Sequence, residues 1–115
     1  MNYVDGFVVA VPNAKKEEYK KFALDAATVF KDYGAMRVVE CWGHDVPDGK
    51  VTSFPMAVKL QSEETVVFSW IIWPNKEVRD QGMEKSMEDP RMQSSDMPFD
   101  GKRMIFGGFE MMIDE

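Results

Sequence analysis

Few side chains in this sequence could carry proton-transfer chemistry. His44 is the only histidine, and an unperturbed imidazole is the side chain that titrates nearest neutral pH. It follows a predicted strand and precedes Asp45, where it could serve as a general base or as an axial ligand to a haem iron. The alternative is a solvated loop histidine. Tyr3 and Glu40 are two further candidates for proton transfer, which makes three candidate catalytic residues.

Aromatic side chains form a second set of candidates, for binding a flat hydrophobic ligand. The candidate ligand-binding residues are Trp42, Phe68, Trp70 and Phe109. Aromatic rings line ligand pockets because each offers a large apolar contact area with a defined geometry. The alternative is that each ring fills the core or a dimer interface.

Metal-ligating and nucleophilic residues are too scarce for a self-contained metal or thiol site. The single cysteine, Cys41, excludes an internal disulfide, and the single histidine excludes a multi-histidine metal site within one chain. On a strand, Cys41 and Trp42 point to opposite faces, and we expect Cys41 to pack in the core. The acidic residues around the loop 44–64 do not match the twelve-residue pattern of a calcium-binding loop. We therefore predict no bound metal and no resident cofactor.

The charge balance and the apolar patterning exclude several classes of partner. The formal net charge is −6, whereas phosphate binding needs clustered Lys and Arg, so nucleic acid and anionic membranes are not expected partners. The longest apolar stretches are far shorter than the roughly 20 residues of a membrane-spanning helix. The first residues lack the basic and apolar regions of a secretory signal. Together with the lone thiol, this predicts a cytoplasmic protein.

The hydrophobic pattern predicts four strands and two helices, in the order strand, helix, strand, strand, helix, strand. Alternating apolar residues indicate strands, and apolar residues at three-to-four spacing indicate helices. The predicted strands are Tyr3–Val11, Met36–Gly43, Thr65–Trp73 and Met104–Ile113, and the predicted helices are Ala14–Tyr33 and a second one from the cap Asn75 to about Glu88. Asn13 is the predicted N-cap of the first helix, and Gly34 its left-handed C-terminal residue.

This order predicts an α+β fold in one domain, residues 1–115. It is the ferredoxin-like βαββαβ topology, with a four-stranded antiparallel sheet and two helices on one face. The loop 44–64 is long for a compact domain and is expected to be functional or partly ordered. Within it, Ser53–Val58 is compatible with one helical turn or with a short extended piece.

Two helices cover only one face of such a sheet, which leaves the other face to be covered differently. The candidate helix-facing set is nearly all apolar: Val39, Cys41, Val66, Phe68, Trp70, Ile72, Phe109 and Met111. The alternate set is mixed but still strongly apolar: Val38, Glu40, Trp42, Val67, Ser69, Ile71, Trp73, Phe106 and Glu110. A monomer rarely leaves so large an apolar surface in water, so we predict a symmetric homodimer with facing sheets. The alternative is that the long loop folds over the second face.

Four motifs, in order along the whole chain, resemble the YbaA-like family of small bacterial proteins, a family of unknown function. They are Tyr3–Phe7, Val46–Pro55, Thr65–Trp70 and Met97–Met104. The resemblance implies a ferredoxin-like fold that pairs as a dimeric α/β barrel. That wider group includes cofactor-independent monooxygenases, isomerases, haem proteins related to chlorite dismutase, and proteins with no known reaction. The family supplies no catalytic residues, so the analogy is a weak guide to chemistry.

Three functional hypotheses follow. The leading one is a homodimeric small-molecule-binding domain with a mostly apolar pocket between sheet and helices, with or without enzymatic activity. The second is a cofactor-independent monooxygenase or isomerase that acts on an aromatic substrate, with His44 or Tyr3 assisting proton transfer. The third is a non-catalytic interaction module whose dimer surface is its function.

Overall fold

The computed structural model describes residues 1–93 and 96–115, and within them the chain forms four strands and three helices. The elements are β1 Tyr3–Pro12, α1 Lys16–Asp32, β2 Arg37–Trp42, α2 Phe54–Ala57, β3 Glu64–Trp73, α3 Lys76–Glu88 and β4 Ile105–Glu110. Short 3-10 turns precede α1, follow α3 and precede β4. The predicted α+β class is confirmed.

The four strands form one antiparallel sheet in the order β2-β3-β1-β4. The central pair is β1 and β3, which run side by side from Tyr3 opposite Trp73 to Pro12 opposite Glu64. The edges are β2 and β4. With α1 and α3 as the crossovers, this order agrees with the predicted ferredoxin-like topology.

Helices α1 and α3 cover the sheet face that was expected to be the exposed one. The buried side chains beneath them form two clusters, Val9, Val11, Tyr19, Ala23 and Val67 in one, and Ala35, Ile71 and Trp73 in the other. The set that was predicted to face the helices lies on the side of the sheet away from them, according to the strand register: Val39, Cys41, Val66, Phe68, Trp70, Ile72 and Phe109. The prediction that these side chains face the helices is therefore wrong.

Polar residues on the helix-facing side explain why hydropathy indicated the wrong face. Glu40, Ser69 and Glu110 made that set of side chains look mixed, and the strand register adds the buried Asp5 to the same face. Asp5 is only 5% exposed. It accepts a 2.9 Å hydrogen bond from Trp73 Nε1 and two of 3.1 Å from Arg79 Nε of α3. A polar side chain whose hydrogen bonds are satisfied can lie in the interior. Apolarity alone therefore does not identify the inner face.

The long loop folds over one end of the other face. Ser53 accepts a hydrogen bond from the backbone N–H of Met56 and caps α2, so this part of the loop forms one helical turn. Beyond the turn, the fully buried Val58 packs with three strand residues, Val8, Ala10 and Val66. The remainder of this surface is the open face, made of Val4, Val39, Cys41, Phe68, Trp70, Ile72, Ile105 and Phe109.

The helix-boundary signals are partly confirmed. The side chain of Asn75 caps α3, and Gly34 after α1 has a φ of 113°, in the left-handed region. Asn13 does not cap α1, because its side-chain oxygen accepts a hydrogen bond from the Thr65 hydroxyl of the neighbouring strand. A side chain held by β3 is unavailable to the first turn of the helix, and α1 starts only after a 3-10 turn. The last strand also ends earlier than predicted, at Glu110.

Helix α3 lies so close to the sheet that Gly82 has no room for a side chain. A Cβ atom at Gly82 would lie 2.4 Å from Cζ3 of Trp73 and 2.5 Å from the carbonyl oxygen of Tyr33. The Trp73 ring is fully buried and its indole N–H is bonded to Asp5, so it has little freedom to move. The glycine therefore sets how closely α3 approaches the sheet.

We expect Gly82→Ala to destabilise the protein by about 1–3 kcal/mol, the usual cost of overpacking. In an exposed helix the same change would stabilise by about 1 kcal/mol, so the sign of the effect reports the close contact. Urea unfolding followed by circular dichroism measures it. Gln81→Ala, at an exposed position of the same helix, is the control and should change stability by less than about 0.5 kcal/mol. A stabilised Gly82→Ala variant would contradict the close approach.

Candidate functional site

A cleft of about 430 Å³ lies between α1 and the β2 end of the sheet. Its apolar walls are Ala23, Leu24, Ala27, Val38, Trp42 and Val67, and its polar side chains are Lys16, Tyr19, Lys20 and Glu40. Ala23 and Ala27 are one helical turn apart and so lie on the same side of α1. Their small side chains leave space between the helix and the sheet. The volume is within the usual range of small-molecule sites.

A hydrogen-bonded pair of polar side chains crosses this apolar cleft. The Tyr19 hydroxyl donates a 2.6 Å hydrogen bond to Oε1 of Glu40. Ser69 lies directly opposite Glu40 on the neighbouring strand, and its side chain also hydrogen-bonds the carboxylate. Tyr19 is buried. Glu40 is exposed to the cleft as a residue, although its surroundings remove part of the water around the carboxylate. A molecule in the cleft can therefore reach a carboxylate whose orientation is held by two neighbours.

The surroundings of the pair raise the pKa of both side chains. Loss of water around the carboxylate raises the pKa of Glu40 above its usual range, and the hydrogen bonds from Tyr19 and Ser69 offset part of that rise. Burial, followed by the negative charge of Glu40, raises the pKa of Tyr19. Tyr19 therefore remains a protonated hydrogen-bond donor, and Glu40 is a stronger base than a solvated glutamate.

The mouth of the cleft carries positive charge. Lys16 and Lys20 line it from the first turns of α1, and both are exposed. The Lys16 ammonium lies 5.0 Å from the centroid of the Trp42 ring, within the range of a cation–π contact. An anionic group on a ligand would meet these two ammonium groups, while its apolar part would lie against Trp42 and the alanines.

The predicted catalytic residues are not brought together. Glu40 lines the cleft. His44 is exposed in the bend beyond the end of β2 and does not line the cleft. Tyr3 is far from Glu40: its partner on β3 is Trp73, four residues beyond Ser69, the partner of Glu40. The guanidinium of Arg79 lies 4.8 Å from the centroid of the Tyr3 ring. Tyr3 thus belongs to the contact between α3 and the sheet.

The predicted aromatic residues are divided between the two faces of the sheet. Trp42 lines the cleft. Phe68 and Trp70 lie on the open face with their ring centroids 5.4 Å apart, and Phe54 of α2 lies 5.7 Å from Phe68. Phe109 is on the same open face and is 60% exposed. Three of the four rings are therefore separated from the cleft by the sheet itself.

Tyr19 and the two lysines were not selected as site residues from the sequence. One signal was present, because Tyr19, Ala23 and Ala27 follow each other at four-residue spacing along one side of α1. A tyrosine followed by two small residues on an inward-facing stripe is compatible with a space beside the tyrosine, but it does not specify how far the helix lies from its neighbour. The sequence does not indicate which strand this side of α1 faces.

Three arginines outside the cleft bind carboxylates that hold the fold together. The ion pairs are Arg79 with Asp5 at 3.0 Å, Arg91 with Asp89 at 2.9 Å, and Arg103 with Glu64 at 2.8 Å. Among residues 1–93 and 96–115, no three His, Cys, Asp or Glu side chains are grouped so that they could hold a metal ion. The helices in this part of the chain include none that is long and apolar enough to cross a membrane.

The family follows from similarity to known proteins. The model of a family described as protein of unknown function, DUF1428, matches residues 2–101. The chain belongs to this family. The uncharacterized protein YbaA of Escherichia coli is 63% identical over the full length of both chains, and so is the protein of that name from Shigella flexneri. The resemblance to the YbaA-like family is confirmed. In this DUF1428 protein, the cleft and the open face lie on opposite sides of the sheet.

We expect Glu40→Gln to stabilise the fold at neutral pH. Because folding raises the pKa of Glu40, the folded state binds this proton more tightly than the unfolded state, whose glutamate pKa is about 4.3. As the pH rises from the unfolded pKa through the folded pKa, ionisation of Glu40 therefore lowers the free energy of unfolding. Glutamine can still accept the Tyr19 hydrogen bond. The gain at pH 7 should be at most about 1 kcal/mol, because solvent screens the exposed part of the charge.

Chemical unfolding of both proteins at pH 7 and pH 3.5 measures this difference, which should vanish at the lower pH. Glu84→Gln, at an exposed position of α3, is the control and should show no pH-dependent gain. An equal effect of Glu40→Gln at both pH values would mean that burial does not penalise the Glu40 charge.

Proposed function

We propose that this DUF1428 protein binds a small, largely apolar organic molecule in the cleft between α1 and β2. The observation that carries the proposal is the hydrogen-bonded Glu40–Tyr19 pair in a largely apolar cleft of about 430 Å³. Protein interiors are normally close-packed, and a desolvated carboxylate lowers stability. A space left open around such a group is typical of a ligand site, where a few polar groups orient a ligand held by apolar walls.

The walls and the mouth of the cleft favour an aromatic carboxylate as the ligand. A ring can lie against Trp42 and beside the small side chains of Ala23 and Ala27. The ligand carboxylate would face Lys16 and Lys20 at the mouth, away from the like charge of Glu40. This orientation leaves the polar atoms near the middle of the ligand next to the Glu40–Tyr19 pair.

We expect Ala27→Trp to fill the cleft and to lower the affinity for aromatic carboxylates at least tenfold. Isothermal titration calorimetry with benzoate, 2-naphthoate and phenylpyruvate provides the measurement. Thr28→Trp adds the same side chain at the next, exposed position of α1, which does not line the cleft, and it should bind like the wild type. Binding that survives Ala27→Trp would place the ligand elsewhere. If none of the three compounds binds the wild type, the non-catalytic interaction module becomes the better hypothesis.

We also propose that the protein forms a symmetric homodimer through the open face. Four large apolar side chains at this surface are more than 40% exposed: Phe54, Phe68, Ile105 and Phe109. They come from α2 and from two strands, β3 and β4, and they lie on one side of the sheet, so they form one surface and not scattered single residues. Monomeric proteins seldom leave a contiguous apolar surface of this kind in water. A second copy is the occupant that the dimeric α/β-barrel resemblance favours.

Two phenylalanines on β4 provide a matched test of the dimer. Phe109 belongs to the open face, whereas Phe106 lies opposite Phe7 on the other side of the sheet and is 70% exposed. Light scattering should give the wild type a mass near twice 13.2 kDa. We expect Phe109→Glu to be monomeric, because a buried unpaired charge opposes association, and Phe106→Glu to remain dimeric. A monomeric wild type at micromolar concentration would rule out the facing sheets.

A further inference from the structure

Glu40 differs from the other shielded carboxylates of this protein in what neutralises it. Asp5, Glu64 and Asp89 are each bonded to the guanidinium of an arginine. Within residues 1–93 and 96–115, Glu40 has hydrogen bonds from hydroxyl groups and no ion pair. An arginine partner stabilises the carboxylate form and weakens it as a base. Hydroxyl donors orient the carboxylate while leaving it able to accept a proton.

The position of Glu40 is also costly for a purely structural role. It faces α1 from the middle of β2, between Val38 and Trp42, where an apolar side chain would pack without desolvating a charge. A charged residue that breaks the apolar pattern of its face and has no partner of opposite charge is a mark of a functional site. Since a carboxylate has about four acceptor positions, the two hydroxyl donors leave at least one for a molecule in the cleft.

We propose that Glu40 is a catalytic base that removes a proton from the carbon next to the carbonyl of an aromatic 2-oxo acid bound in the cleft. This inference rests on the ligand site proposed above. The ring would lie against Trp42, and the substrate carboxylate would face Lys16 and Lys20. In that orientation the carbon between the ring and the carbonyl group would lie in the part of the cleft that Glu40 lines.

The chemical step is a keto–enol isomerisation that needs no oxidant and no second substrate. The C–H bond breaks and its proton passes to Glu40. The electron pair of that bond forms a C=C bond to the carbonyl carbon, and the carbonyl π electrons move to the oxygen. Glu40 then returns the proton to that oxygen, or in the reverse direction to the carbon. Tyr19 is a positioning residue that holds the carboxylate in place.

Exchange of the benzylic protons of phenylpyruvate in D₂O, followed by proton NMR, tests this assignment. The wild type should accelerate exchange above the rate in buffer alone. Glu40→Gln should lose about 100-fold or more of the acceleration, the usual contribution of a general base. Calorimetry should show that the variant still binds phenylpyruvate, at least as tightly as the wild type, because a charge that repels the ligand carboxylate has been removed.

The possible outcomes separate this inference from the ligand site. Binding of phenylpyruvate without faster exchange would overturn the catalytic base and leave the ligand site standing. Binding of benzoate or 2-naphthoate but not of phenylpyruvate would overturn the substrate class in the same way. If no aromatic carboxylate binds, both proposals fail. Full exchange activity in Glu40→Gln would assign the proton transfer to another group.

A pH profile of Tyr19→Phe gives a second readout that a structural role would not produce. Among residues 1–93 and 96–115, the charged and titratable groups that line the cleft with Glu40 are Lys16, Tyr19 and Lys20 of α1. The side chain of the next residue, Cys41, lies on the open face, and from β3 Glu40 is faced by the Ser69 side chain. The Tyr19 hydrogen bond lowers the pKa of Glu40. Its removal should therefore move the acid limb of the exchange-rate profile to higher pH. An unmoved limb would overturn Glu40 as the titrating base.

Discussion

The contact between α3 and the sheet depends on the buried carboxylate of Asp5. Its oxygens accept hydrogen bonds from the indole N–H of Trp73 and from the guanidinium of Arg79, which also lies over the ring of Tyr3. A charge removed from water has to be compensated where it lies, so this carboxylate determines which helix residue must sit above it. Gly82 then allows the helix to approach until its backbone contacts the Trp73 ring. The sheet beneath α3 is therefore tightly filled around Trp73 and Gly82.

The same rule of charge compensation separates the structural carboxylates from Glu40. Glu64 is held by Arg103, and this ion pair ties the start of β3 to the turn that precedes β4. Glu40 instead lies between a tyrosine and a serine, at the end of the sheet where α1 stands away from β2. The cleft and the carboxylate that has no arginine partner therefore occur at the same place in the fold. That coincidence connects a local cost in stability with the proposed role of Glu40 in ligand chemistry.

The two faces of the sheet are covered in different ways. One is covered by α1 and α3 and contains the cleft, and the other is covered in part by the loop around α2 and remains open near Phe68 and Phe109. A homodimer through the open face would bury the exposed rings and would leave both clefts on the outer, helix-covered sides. Assembly and ligand binding would then use opposite faces of the same sheet, and neither would obstruct the other.

The sequence by itself determined the element order, the ferredoxin-like topology, most element boundaries and the family, because these depend on local periodicity and on motifs that are continuous along the chain. It also identified Glu40 and Trp42 as candidates. Only the tertiary structure decided which face the helices cover, because the partners that satisfy Asp5 come from residues more than sixty positions away. The same holds for the cleft. Its existence depends on the distance between α1 and β2, and neither the small side chains of α1 nor the polar residue of β2 specifies that distance alone.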